Sequence, residues 1–184
     1  MPVNEAKKFL EPGPVIQISS LHDGRANIMT AGWHQILEFT PSLVSCLISS
    51  GNHNFEMIRQ SRECVINVPT KACTDTVVSI GNTSGADTDK FDKFGLTRVD
   101  SSSVATPSIG ECYANLECRP HDDALVERYN LFIFEVVAIQ ALARHIIHRH
   151  CTIVAMVNSC YRVRRFPVAT FSGPECSERS AGLT

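Results

Sequence analysis

Residues 21–34 read Leu-His-Asp-Gly-Arg-Ala-Asn-Ile-Met-Thr-Ala-Gly-Trp-His, and they follow the short β-branched run VIQISS at 15–20. The Asp23-Gly24 pair is a hairpin signal, because a two-residue loop between strands needs positive φ angles that Asp and Gly tolerate. A hairpin tip needs nothing more. The chemistry that follows it therefore asks for another explanation. Asn27 and Thr30 offer side-chain hydrogen bonds, Gly32 permits close backbone approach and Trp33 offers a ring plane. A flat heteroaromatic ligand needs an apolar face and polar edge contacts of this kind.

Working outward, residues 26–40 continue as strand until Pro41, and LVSCLIS at 43–49 is a second apolar run of strand length. Residues 55–61 form a short helix with Phe55, Met57 and Ile58 facing a core, and Asn54 is placed to cap it. CVINV at 64–68 is a strand closed by Pro69. Residues 74–80 suit a second helix, with Asp75 near its start and Gly81 at its end. GNTSGADTD at 81–89 is a turn-rich loop. ANLECR at 114–119 and YNLFIFEVVA at 129–138 are strands, the second nearly all apolar and hence central. Many short strands with two small helices predict a mainly β fold, a barrel decorated by helices.

Composition narrows the class. The chain has 184 residues, 43% hydrophobic and 20% charged, which suits one soluble domain with a real core. A formal net charge of -2 gives no electrostatic reason to expect nucleic acid or a membrane surface as partner. The first fourteen residues carry charges where a secretory signal needs an apolar stretch, so the cytoplasm is the expected location. Eight scattered cysteines without CxxC spacing predict buried, unpaired thiols.

Several patterns are weighed and set aside. No GxGxxG, GxxxxGK[ST] or GxSxG occurs. His145, His148 and His150 have metal-like spacing but no acidic neighbour, and no metal is expected there. Asp87, Asp89 and Asp92 lack the glycine and terminal glutamate of a calcium loop. Lys90 stands out, because a lysine in a loop rich in Gly, Ser and Thr serves as a point charge for phosphate. Ser49, Ser50, Asn52, His53 and Asn54 form a second polar cluster just ahead of a helix, where a helix N-terminus favours an anion. Cys46 lies on the strand before that cluster, and a packed core thiol is its expected role.

Taken in order, NIMTAGW at 27–33, FTP at 39–41, GNHNFEMIRQSRECVINVP at 51–69, IGNTSG at 80–85, DKF at 89–91, ANLEC at 114–118 and YNLFIFEVV at 129–137 resemble the flavin reductase-like family of FMN-binding split barrels, in its flavoredoxin-like branch. The resemblance covers nearly all of residues 10–140. It implies a split β-barrel homodimer with FMN near the subunit interface. Carried over, Asn27, Met29, Thr30 and Trp33 would line the flavin, Ser49, Asn52 and Asn54 would lie near its phosphate, and Lys90 would neutralise phosphate charge. Arg128 and Tyr129 are weaker candidates. The implied activity is transfer of electrons from NAD(P)H through the flavin to an acceptor, with no protein acid or base required. An FMN-binding electron carrier without NAD(P)H turnover, or a defective member lacking part of the pocket, are the alternatives.

The tail departs from that pattern. A domain over 1–143 is expected, followed by a divergent segment over 144–184. Family members continue after the last strand with a segment like LHYRGDGxF, where this chain reads HCTIVAMVNSCYRV at 150–163. Joining the last base of each codon to the first two of the next, those residues can encode LHYRGDGEFMLSG. Both leucines and the second glycine of that string are forced. A frameshift near residues 139–149, in the gene or in its sequencing, is the expected origin of the divergence. The codons for 150–163 should spell this segment in the alternate frame, and a nucleotide sequence that does not do so removes the explanation.

Overall fold

In the computed structural model, residues 14–141 are described. Seven strands form one antiparallel sheet: β1 (Ile16–His22), β2 (Arg25–Ala31), β3 (His34–Phe39), β4 (Ser42–Leu47), β5 (Cys64–Val68), β8 (Ala114–Asp122) and β9 (Leu131–Ala141). Their spatial order is β2-β1-β5-β8-β9-β4-β3. A two-stranded excursion, β6 (Arg98–Val99) with β7 (Ser108–Ile109), lies outside the large sheet. The helices are α1 (His53–Ser61), α2 (Thr74–Gly81), α3 (Lys90–Phe94) and α4 (Val126–Tyr129), with a 3₁₀ turn at Lys71–Cys73.

The Asp23-Gly24 tip forms as expected. Both residues have positive φ, and β1 and β2 pair in register from Ile16↔Ala31 to His22↔Arg25. The long strand expected over 26–40 is broken instead. Gly32 and Trp33 separate β2 from β3, and these two strands end up at opposite edges of the sheet. One connection therefore spans the sheet's two margins and bends it into a split barrel. A cis Thr40-Pro41 bond sits in the β3–β4 turn.

Alternation explains the core. Ile16 and Ile18 of β1, Val44 and Cys46 of β4, Cys64 and Ile66 of β5 and Phe132 and Phe134 of β9 point inward, where Phe55 and Ile58 of α1 cover them. The opposite side of β1 and β5 is equally buried but, apart from Val65, is lined by the polar Gln17, Ser19 and Asn67. There Asn67 Nδ2 donates to Ser19 Oγ at 3.1 Å, Asn67 Oδ1 accepts from Ile109 N at 2.9 Å, and Ser19 Oγ donates to Pro107 O at 2.7 Å. These bonds hold residues 100–113 against the sheet.

Two carboxylates complete the attachment. Glu63 Oε1 accepts from the backbone of Ala105 and Thr106 at 2.8 and 2.9 Å. Glu117, fully buried, accepts from Ser102 N, Ser102 Oγ, Ser103 N and Gln140 Nε2. Burial pushes its carboxyl up, but these four donors outweigh burial and hold it below the usual glutamate range. Of the eight expected thiols, Cys46, Cys64, Cys112 and Cys118 are buried and unpaired, Cys73 is unpaired but only half-buried, and Cys151, Cys160 and Cys176 lie outside the described residues. Burial pushes the thiols of Cys46, Cys64 and Cys112 up, away from reactivity. The divergent tail, with His145, His148 and His150, lies outside the described residues.

A carboxylate with a depressed native pKa contributes stability above its unfolded pKa and loses it as the pH falls through the native value. Glu117→Gln should therefore lower stability by about 2 kcal/mol at pH 7, with the difference from wild type shrinking on acidification. Urea denaturation at several pH values checks this; a pH-independent difference would contradict it.

Candidate functional site

Three elements converge on the free side of β2: the start of α1, the loop after α2 and the start of α3. Between them lies an open cleft of about 270 Å³, lined by Asn27, Gly51, Asn52, His53, Asn82, Thr83, Ser84, Gly85 and Lys90 among others. A smaller hollow of about 100 Å³ adjoins it and shares Asn27, His53 and Gly85.

The helix start is built by asparagines. Asn52, not Asn54, is the capping residue, and its Oδ1 accepts from Asn54 N at 2.9 Å. Asn54 is instead the second helical residue and is fully buried. Its Nδ2 donates to Ile18 O at 2.8 Å, while its Oδ1 accepts from Asn27 Nδ2. The Asn27–Asn54 pair thus locks α1 to strands β1 and β2. Asn27 is 2% exposed, and its Oδ1 has no partner among the described residues. Gly85 packs against this amide so closely that any Cβ would overlap it. The glycine is required here by close approach, not by φ.

Lys90, the first residue of α3, is 4% exposed. Its Nζ donates to Ile28 O at 2.7 Å and to Ile80 O at 3.2 Å. Burial, with a smaller push from Lys93, pulls its pKa down to about 8. Among the described residues, no carboxylate is bonded to it. Asp89, the capping residue of α3, is paired with Arg98 at 2.6 Å. A desolvated ammonium with one N–H left over is a strong partner for an anion arriving in the cleft.

The remaining expected residues separate. Thr30 Oγ1 donates to Val77 O at 2.8 Å and packs beneath Gly81. The Met29 side chain belongs to the main core, so only its backbone is available to a ligand. Ser49 uses its Oγ to accept from Gly51 N, and it does not line the cleft. Trp33 is 48% exposed and borders a different groove of about 320 Å³ with His34, Gln35, Ser45, Leu47 and Leu131. Tyr129 and Arg128 stack on each other in α4, away from the cleft. The loop residues Asn82, Thr83, Ser84 and Gly85 line the site without having been singled out from sequence. Their signal was present in the IGNTSG motif, which reads as a turn until Asn27 is known to sit beneath it.

Against known proteins, residues 10–157 match the model of the flavin reductase like domain. The chain belongs to the flavin reductase-like family. An uncharacterized protein of Archaeoglobus fulgidus is 37% identical over 113 residues, covering 61% of this chain and 64% of that protein. The chain thus matches just under two thirds of that relative's length. The uncharacterized protein YddH of Escherichia coli K12 is 33% identical over 147 residues, 77% of each. Among solved structures, an FMN-binding domain of a flavin reductases-like enzyme from Shewanella baltica shares 29% identity with a TM-score of 0.67, covering 77% of this chain and 75% of that one. Flavoredoxin of Desulfovibrio vulgaris (Miyazaki F) shares the fold at 21% identity and a TM-score of 0.68, covering 88% and 92%. The split-barrel fold and the family expected from the sequence are thereby established.

Lys90 ties this site to pH. Its unfolded pKa lies near the ordinary 10.5 and its native value near 8. Between those values the unfolded chain binds more protons, so Lys90 makes stability rise with pH, by on the order of 3 kcal/mol across the window. Lys90→Met should remove that slope, whatever its effect at pH 7. Denaturation curves from pH 7 to 10.5 check this, and an unchanged slope in the variant would contradict the burial of a charged Lys90.

Proposed function

We propose that the chain is an FMN-binding oxidoreductase that takes electrons from NAD(P)H and passes them through flavin to an acceptor. The observation that carries this reading is the desolvated ammonium of Lys90 beneath a polar cleft at the start of α1. An enclosed cation without a carboxylate partner among the described residues suits an anionic group, and the phosphate of FMN is one. Asn52 and the α1 start would face that phosphate, with Ser49 and Asn54 holding the turn. The backbone of Asn27, Met29 and Thr30 would lie along the flavin, whose ring would extend from the cleft toward the separate groove bordered by the indole of Trp33. Bound FMN would supply the redox chemistry, and the protein holds it, orients it and admits the second substrate.

The polar side chains of Asn52, Thr83 and Ser84 around Lys90 also suit a phosphorylated ligand in the cleft. The family assignment and the FMN-binding relative from Shewanella baltica support the same cofactor.

The chain is further proposed to act as a cytoplasmic homodimer. The edge strand β3 leaves Ile36 and Phe39 62% and 85% exposed, although Ile36 pairs with the buried Val44 on the core side of the sheet. An uncovered core edge suits a second copy.

The purified protein should quench FMN fluorescence stoichiometrically and sediment at twice the chain mass. Reduced nicotinamide should then bleach the bound flavin in stopped flow. Asn27→Ala with Trp33→Ala should weaken FMN binding by about tenfold or more, beyond any shift in melting temperature. No quenching by the wild-type chain overturns the cofactor. Slow bleaching leaves an electron carrier in place of a reductase, and sedimentation as a single chain removes the dimer.

A further inference from the structure

Two cysteines outside the cleft come together where α2 begins. Cys73 ends the 3₁₀ turn Lys71–Cys73 and is unpaired and half-buried. Its Sγ donates to the backbone carbonyl of Glu111 at 3.7 Å, and Glu111 is the residue before Cys112. Cys112 is unpaired and 4% exposed, and its Sγ donates to Gln17 Oε1 at 3.9 Å. The chain beneath them gives the same closeness. Cys73 packs on the buried Val15 and Val77, whereas Cys112 lies against Gln17, two residues beyond Val15 on the same face of one extended run and about 7 Å from it. An ionised Cys73 is near enough to add to the rise that burial imposes on the Cys112 thiol.

A second pair shows what solvent access adds. Cys64 and Cys118 are direct partners across β5 and β8, and both are 0% exposed within the main core. An oxidant dissolved in water reaches neither without opening the sheet. Among the described cysteines, Cys73 is the one that is not buried, and a second thiol lies beside it.

We propose that Cys73 and Cys112 form a peroxide-sensitive dithiol, which closes to a disulfide and ties the start of α2 to residues 109–113. Cys73 gives its proton to solvent, and its sulfur attacks one oxygen of hydrogen peroxide. The O–O bond breaks, and the other oxygen leaves as hydroxide and takes up a proton to become water. Cys73 is then a sulfenic acid. The Cys112 sulfur attacks the Cys73 sulfur, the S–O bond breaks, and the departing hydroxide takes the Cys112 proton to become a second water. Two thiols lose two electrons, and one peroxide is reduced to two waters. Burial keeps Cys112 protonated, so it acts second and not first. The tie reaches the cleft through α2. That helix runs from Thr74 to Gly81, its Ile80 O accepts from Lys90, and its end leads into the loop that lines the cleft.

The test treats the full, reduced chain with a small excess of hydrogen peroxide, alkylates the remaining thiols under denaturing conditions and maps the peptides by mass spectrometry. The Cys73 and Cys112 peptides should be recovered joined, with the loss of two hydrogens, while Cys64 and Cys118 are recovered alkylated. Cys73→Ser should abolish the joined product. Cys112→Ala should stop the reaction at the Cys73 sulfenic acid, which dimedone traps. In the cross-linked chain, amide hydrogen exchange over residues 74–85 should slow. Three outcomes in the wild-type map overturn the pairing, however the variants fold: both thiols recovered alkylated, a Cys73 sulfenic acid that never cross-links, or a disulfide from Cys73 to Cys151, Cys160 or Cys176. Unchanged exchange over 74–85 overturns the hold on the cleft. None of these results depends on flavin binding.

Discussion

A single buried ammonium organises the functional end of this protein. Lys90 reaches from α3 to carbonyls of β2 and of α2, so its two hydrogen bonds join three elements that share no backbone pairing. The arrangement costs free energy, since an ammonium prefers water to two neutral carbonyls. That cost shows as the depressed pKa. A site that holds a cation short of partners is prepared for an anion, and the same preparation makes the unliganded end of the fold less stable than it could be.

The Asn27–Asn54 pair complements it. Where Lys90 fixes the far wall of the cleft, this amide pair fixes the near wall by joining α1 to β1 and β2. Gly85 seals the pair from above. The walls of the cleft are therefore set by a few committed polar contacts, not by apolar packing. The N–H that Lys90 keeps after its two carbonyl bonds is the donor they leave for an anionic ligand.

Local signals in the sequence were reliable where one residue pair decides the geometry. Asp23-Gly24 made the hairpin, and the runs at 15–20, 64–68 and 129–138 became strands β1, β5 and β9 of the large sheet. Less was legible where tertiary contacts decide. The break at Gly32 and Trp33 follows from bending the sheet, and nothing in a run of strand-forming residues announces it. Helices α3 and α4, of five and four residues, are too short to be stable alone and carry no periodic pattern. Asn54 looked like the cap because it adjoins the apolar run, yet Asn52 takes that role and frees Asn54 to bind Asn27. Glu117 reads as a surface residue in an alternating strand, and its burial depends on a serine loop fifteen residues away. Of the expected site residues, Asn27, Asn52 and Lys90 meet in the cleft, whereas Trp33 borders a separate groove and the Met29 side chain enters the core.

We propose that Lys90 is the anion partner of this site. This is tested most directly by titrating the Lys90 side chain by NMR, with and without saturating FMN. A phosphate beside the ammonium favours its charged form, so the account predicts a pKa that rises from about 8 towards the ordinary lysine range on FMN binding. A value that stays where it is while FMN is bound would place the phosphate elsewhere and contradict the account.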